Sequence, residues 1–146
     1  MRKGMMIAAA VATLLAPLSA SATDWYRVTR GQTATWYVDV DSIQRKGQWT
    51  SVREYSVYDT VSERTGVKSA WSLLEIDCSA RQIRYAHFSA FDASGTETTS
   101  DDWPDDGKLH PIEDGTVLDV LADFVCDGNY SQGVRVKDPE TDSQTR

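Results

Sequence analysis

The chain has 146 residues, with 15 Lys and Arg against 22 Asp and Glu, a formal net charge of −7. That length suits one domain with one core, and five tryptophans, six tyrosines and three phenylalanines supply its bulk. The acidic balance excludes nucleic acid and anionic bilayers as natural partners, because both require clustered cations that displace counterions.

Residues 1–22 have the three-part form of a secretory signal: Arg2 and Lys3, an apolar run from Met5 to Leu15, then Ala20-Ser21-Ala22. The apolar run is too short for the roughly 20 residues that span a bilayer, so cleavage after Ala22 is expected, leaving no integral membrane segment. The only cysteines are Cys78 and Cys126, and neither stands at the cleavage point to accept a lipid. The expected product is an exported protein, periplasmic or secreted, not lipid-anchored, and more acidic by the loss of two cations.

From Trp25 onward the chain reads as strands. In the second run Trp36, Val38 and Val40 alternate with Tyr37, Asp39 and Asp41, the period of two expected when one face is buried and the other wet. Other runs are Trp25–Thr29, Trp49–Asp59, Lys68–Cys78 and Gln82–Asp92, with a weak sixth over Thr96–Thr99. Turn residues separate them at Arg30-Gly31, Lys46-Gly47, Thr65-Gly66 and Ser94-Gly95. Connections this short predict an antiparallel meander, since parallel pairing needs long crossovers.

After a loop over Asp101–Gly115 the period changes. Val117, Leu118, Leu121, Phe124 and Val125 recur at helical spacing, while Asp119, Asp123 and Asp127 fall on the opposite side. Thr116 is placed to cap the start and Gly128 the end. A helix of about ten residues does not persist alone in water, so it must dock. The two cysteines, in an oxidising compartment, pair by default; a redox or metal site is the alternative, but neither has a motif partner nearby. A bridge closing a loop on the order of 50 residues stabilises by roughly 4 kcal/mol in the chain-entropy picture. The expected fold is thus α+β: a single antiparallel β-sheet of five to six strands in a meander, with one C-terminal α-helix tied to it by a Cys78–Cys126 disulfide. The domain is expected over 23–128, followed by a polar, disordered tail over 129–146, whose end from Lys137 holds no aliphatic or aromatic residue.

The bridge assigns faces. Cys78 shares strand parity with Ile76 and Leu74, which should point to the helix, leaving Trp71, Leu73, Glu75 and Asp77 on the other side. Large side chains such as Tyr55 and Tyr58 also occur on both parities of their strand. One short helix cannot cover two such faces, so apolar area is left open or covered by a loop, a strand curl or a second subunit, as in a dimer. Tyr55, Trp71 and Leu73 are the candidate binding residues.

No catalytic set emerges, and the chain is expected not to be an enzyme and to need no cofactor. His87 and His110 lack a third metal ligand in any recognisable spacing, no serine stands in a nucleophile elbow, and Glu75 with Asp77 reads as a solvated edge. The stretch Asp101-Asp102-Trp103-Pro104-Asp105-Asp106-Gly107 does not have calcium-loop spacing; it is expected to be an acidic turn with Trp103 inserted into the core. Arg53, Arg64, Lys68, Arg81 and Arg84 are spread over strands and turns; a local basic patch for a partner is one reading, and scattered surface cations the commoner one.

Taken in order, Trp25, the segment Tyr37-Val38-Asp39-Val40-Asp41-Ser42-Ile43 with Gly47 after it, Glu75-Ile76-Asp77-Cys78, Arg84, Trp103, Gly115-Thr116 and Cys126 resemble the bacterial surface-adhesin protein E family. The resemblance implies the same sheet, helix and disulfide, and an adhesin that binds a protein partner, namely host extracellular matrix proteins such as vitronectin and laminin, or plasminogen. It carries over no binding motif, and this chain lacks the lipidation cysteine of a surface-anchored adhesin. The expectation is an exported, non-catalytic binding module; the alternative is a soluble periplasmic structural or inhibitory protein with an acidic surface.

Overall fold

A computed structural model of the chain describes residues 23–145, so the expected signal peptide lies outside the described residues. Six long strands follow one another: β1 (Trp25–Arg30), β2 (Ala34–Lys46), β3 (Trp49–Tyr58), β4 (Val67–Asp77), β5 (Gln82–Asp92) and β6 (Glu97–Asp102). They form the expected antiparallel meander, β1 at one side and β6 at the other. Two short strands bring the sheet to eight: β7 (His110–Pro111) pairs with the start of β5, and β8 (Val134–Val136) pairs antiparallel with β1. The sheet is therefore larger than the five to six strands expected. Strands of two and three residues are too short to display an alternation, and these form because a neighbouring edge offers free backbone groups.

The helix α1 (Val117–Asp127) forms as its periodicity predicts. Thr116 Oγ1 accepts from the Asp119 amide at 3.2 Å, and the Asp119 carboxylate accepts from the Gly115 amide at 2.8 Å. Gly128, at φ 64°, closes the other end in the left-handed conformation that L side chains resist. Leu121, Ala122, Phe124 and Val125 pack onto Val38, Val52, Leu74, Ile76, Ile83 and Ile112, which make the core. Cys78 and Cys126 are bonded, with their Cα atoms 5.8 Å apart, and so pin the last turn of α1 to the end of β4. The inner face of the sheet is thus the one bearing Leu74 and Ile76, as strand parity requires.

The outer face departs from expectation in one respect. The tail read as disordered contains β8 and a second helix, α2 (Pro139–Ser143). Gly133 admits the chain to the edge, where a Cβ would stand 2.7 Å from the Phe124 ring. Asp138 caps α2 by accepting from the Thr141 amide at 3.0 Å, and Pro139 is buried. Asp142 then accepts from Arg27 at 2.7 Å, from Arg30 at 3.3 Å and from the Tyr37 hydroxyl at 2.9 Å. Tyr37 and Asp39, on the parity expected to be wet, are both buried, at 0% and 4% exposure. The anchors are polar, so a scan for apolar periodicity passes over them.

Trp103 is the second correction. It lies outside the core, 46% exposed, in a left-handed conformation at φ 52° ahead of the short 3-10 turn Pro104–Gly107. Gly107 passes beneath it, where a Cβ would meet the indole at 3.1 Å.

Candidate functional site

The outer face beyond α2 gathers side chains from β3, β4 and β5. In register, Tyr55 stands opposite Trp71 and Trp71 opposite Ser89, while Arg53 stands opposite Leu73 and Leu73 opposite His87. Side chains directly opposite on one face lie within contact. The Trp71 ring stacks on His87 at 4.4 Å between centroids, and the Arg53 guanidinium sits 5.6 Å above the same indole. His87 is held in turn by Asp102 at 2.7 Å through Nδ1 and by Ser89 at 2.9 Å through Nε2. Arg53 is 48% exposed and 3.6 Å from the buried Asp39; burial pushes the Asp39 carboxyl up, and the Arg53 charge opposes that rise.

A second stack continues the first. Arg84 lies 4.2 Å over Trp49 and 5.1 Å over Trp103, with Glu75 accepting from its guanidinium at 2.6 Å. The face therefore carries a band of arginines set against indoles, a contact in which the planar cation keeps its charge while covering apolar area. Of the three candidate residues, Trp71 and Leu73 are half-buried in this band. Tyr55 adjoins it but donates its hydroxyl to Glu140 of α2, and Ser69 lies 2.8 Å from the same hydroxyl. Burial, with Glu140 adding to it, drives the Tyr55 phenol above its ordinary range.

The sequence alone does not mark Arg53, Arg84, Trp49, Trp103 and His87 as one group. Arg53 and Arg84, expected to be scattered, share one face, whereas Arg81 pairs with Asp119 and Asp123 of α1 and Lys68 bonds the Tyr58 and Asp59 carbonyls. Strand parity alone could have placed Arg53 beside Tyr55; joining it to Trp71 needs the cross-strand register. Glu75 and Asp77 do not act as a pair. Glu75 holds Arg84, and Asp77 caps the β4–β5 turn by accepting from the Ala80 and Ser79 amides, the first of which does most to lower its pKa.

The inner face holds a second feature that the sequence did not mark. Beside Leu118 and Leu121 of α1 a cleft of about 430 Å³ opens over β3, β4 and β5, with Glu54 in its lining. Glu54 is 6% exposed and its Oε1 has no hydrogen-bond partner. The signal was available in part, since Glu54 shares parity with Val52 and so must point inward.

Among the described residues, no group of three His, Cys, Asp or Glu is arranged to hold a metal ion, and no helix is long and apolar enough to cross a membrane. A family model described as surface-adhesin protein E matches residues 25–127. No curated protein and no solved structure gives a match.

Proposed function

The chain belongs to the surface-adhesin protein E family, and from that premise we propose that it is an exported, non-catalytic binding module whose outer sheet face holds a protein partner. The observation that carries the reading is the band of Arg53, Trp71, His87 and Leu73 continued by Arg84, Trp49 and Trp103. Trp and Arg dominate the energetics of protein interfaces, because each buries a large, rigid surface while retaining a directional polar or charged group. Stacking fixes both partners before binding, which lowers the ordering cost of association. By family likeness the partner is a host extracellular matrix protein of the vitronectin or laminin kind.

The test is surface plasmon resonance of the mature protein on immobilised vitronectin and laminin, with Trp71→Ala and Arg84→Ala variants. Each variant is expected to weaken binding by roughly tenfold or more, in line with the loss at an interface anchor, with its circular dichroism unchanged. Equal affinity in folded variants excludes this face. The second reading, an envelope protein whose acidic surface covers a basic partner, draws on β6, whose six residues are all exposed and include Glu97, Asp101 and Asp102. It requires binding that weakens steeply with salt, since exposed charges beyond a Debye length are screened.

A further inference from the structure

The inner face of the sheet is longer than the helix that covers it. β3 and β4 have ten and eleven residues, and α1 has eleven. At about 3.3 Å per residue in a strand and 1.5 Å in a helix, α1 spans roughly half a strand. Its buried residues end over Val52 and Leu74, and on β3 the next inward positions are Glu54, Ser56 and Tyr58. The cleft lies there.

Its walls are the rings of Trp36, Tyr58, Tyr85 and Phe88, with Leu118 and Leu121 from α1. Its floor is Glu54, which stands opposite Ser72 in the sheet. A buried carboxyl oxygen without a partner is rare in native proteins and calls for an explanation, of which a bound donor is one. No Lys or Arg lines the cleft; besides Glu54 and the phenols of Tyr58 and Tyr85, its chargeable groups are Asp105 and His110 at the rim, 2.9 Å apart. A neighbouring hollow of about 740 Å³ shares Tyr58 and Phe88, leaving room for a body longer than one ring. A volume of this size matches sites for small molecules, which are mostly apolar with one or two placed polar groups.

We propose that this cleft binds a small organic amine, its apolar or aromatic body against Trp36, Tyr58, Tyr85 and Phe88 and its protonated nitrogen donating to Glu54. Aromatic walls and a carboxylate together select a cation, by ring quadrupole and by charge-assisted hydrogen bond. The site is on the opposite side of the sheet from the arginine and indole band and does not depend on it.

The chemistry imposes a pH dependence. Burial pushes the Glu54 carboxyl up to about 8, with Ser72 and Ser56 opposing the rise. The empty site is therefore mainly neutral at lower pH, and an ammonium ion binds the ionised form, releasing a proton. The other ionisable groups of the cleft are Tyr58 on β3, Tyr85 on β5, Asp105 on the 3-10 turn and His110 on β7; α1 contributes none. Tyr85 is held above its ordinary range by burial and by the Glu54 charge. Amine affinity should rise as pH climbs toward 8, by up to tenfold per unit, the limit for one coupled proton.

The experiment is titration of the mature protein with 2-phenylethylamine, longer alkyl and aryl primary amines, 2-phenylethanol and 3-phenylpropanoate, followed by amide NMR shifts and calorimetry. The amines are expected to bind and to move the amides of Glu54, Ser72 and Leu118, more tightly at higher pH. Glu54→Gln should cost at least tenfold in amine affinity and remove the pH dependence, while His110→Gln should leave that dependence in place. Leu118→Trp, which fills the cleft and keeps Glu54, should block binding and serves if Glu54→Gln does not fold. Absence of amine binding at millimolar concentration, equal binding of the alcohol or the carboxylate, or amine binding unchanged in both variants overturns the proposal.

Discussion

Glu54 concentrates the cost of the inner face in one side chain. Its carboxyl is raised from an ordinary 4.5 to about 8 by burial, so between those values the folded protein binds a proton that the unfolded chain has released. Stability must then fall as pH rises from about 4.5 to about 8 and level off above, the reverse of the usual carboxylate. At pH 7 the loss is on the order of 3 kcal/mol, from 1.36 kcal/mol per unit. Thermal melts across this range should show the decline in the native protein and a flattened profile in Glu54→Gln, which keeps the shape and carries no charge. Identical profiles in the two proteins would mean that the carboxyl is solvated. Position 54 was legible as inward-pointing from its parity with Val52, but not as leaving one carboxyl oxygen without a partner, because that depends on where α1 ends. Trp103 went the other way. Its bulk suggested a core anchor, yet its place beside Pro104 and above Gly107 sets it outside, against Arg84.

At the scale of elements, α1 and α2 are held by opposite means. Helix α1 docks by an apolar stripe whose period is written in the chain. Helix α2 has five residues, too few to stand alone, and is fastened by Asp142 to Arg27, Arg30 and Tyr37. Burial raises the Asp142 carboxyl, but the Arg27 and Tyr37 hydrogen bonds and the two arginine charges outweigh it and hold the group below its ordinary value. Its contribution is present above the ordinary carboxylate range and lost as pH falls through the lower native value. Asp142→Ala leaves the part-buried Arg27 and the Tyr37 phenol without their carboxylate acceptor and Arg30 with backbone carbonyls alone, and should cost about 1–3 kcal/mol, measured by urea unfolding at neutral pH. A variant as stable as the native protein would show that the tail contributes nothing to the fold. Nothing in the composition of 137–146 announced this role, since hydropathy cannot register an element anchored by charge.

For the molecule as a whole, the disulfide is the constraint of longest reach. It joins residues 48 apart, so by chain entropy it stabilises by roughly 4 kcal/mol, or about 10–20 °C in Tm for a domain of this size. Calorimetry with and without reductant should show a drop of that order; coincident melts would mean that α1 is held by packing alone. Local order explains what could be read from the chain beforehand. Strands β1 to β5, the caps and stripe of α1 and the inward parity of Leu74 and Ile76 all rest on relations between residues a few positions apart, and the cysteine pair on there being two cysteines in the chain; the sequence by itself determined them. The tertiary structure alone decided the stacking of Arg53 on Trp71 and of Arg84 on Trp49 and Trp103, the return of the tail to β1, and the cleft over Glu54. Each of these depends on register between strands or on the length of one element against another, and neighbours along the chain hold no record of either.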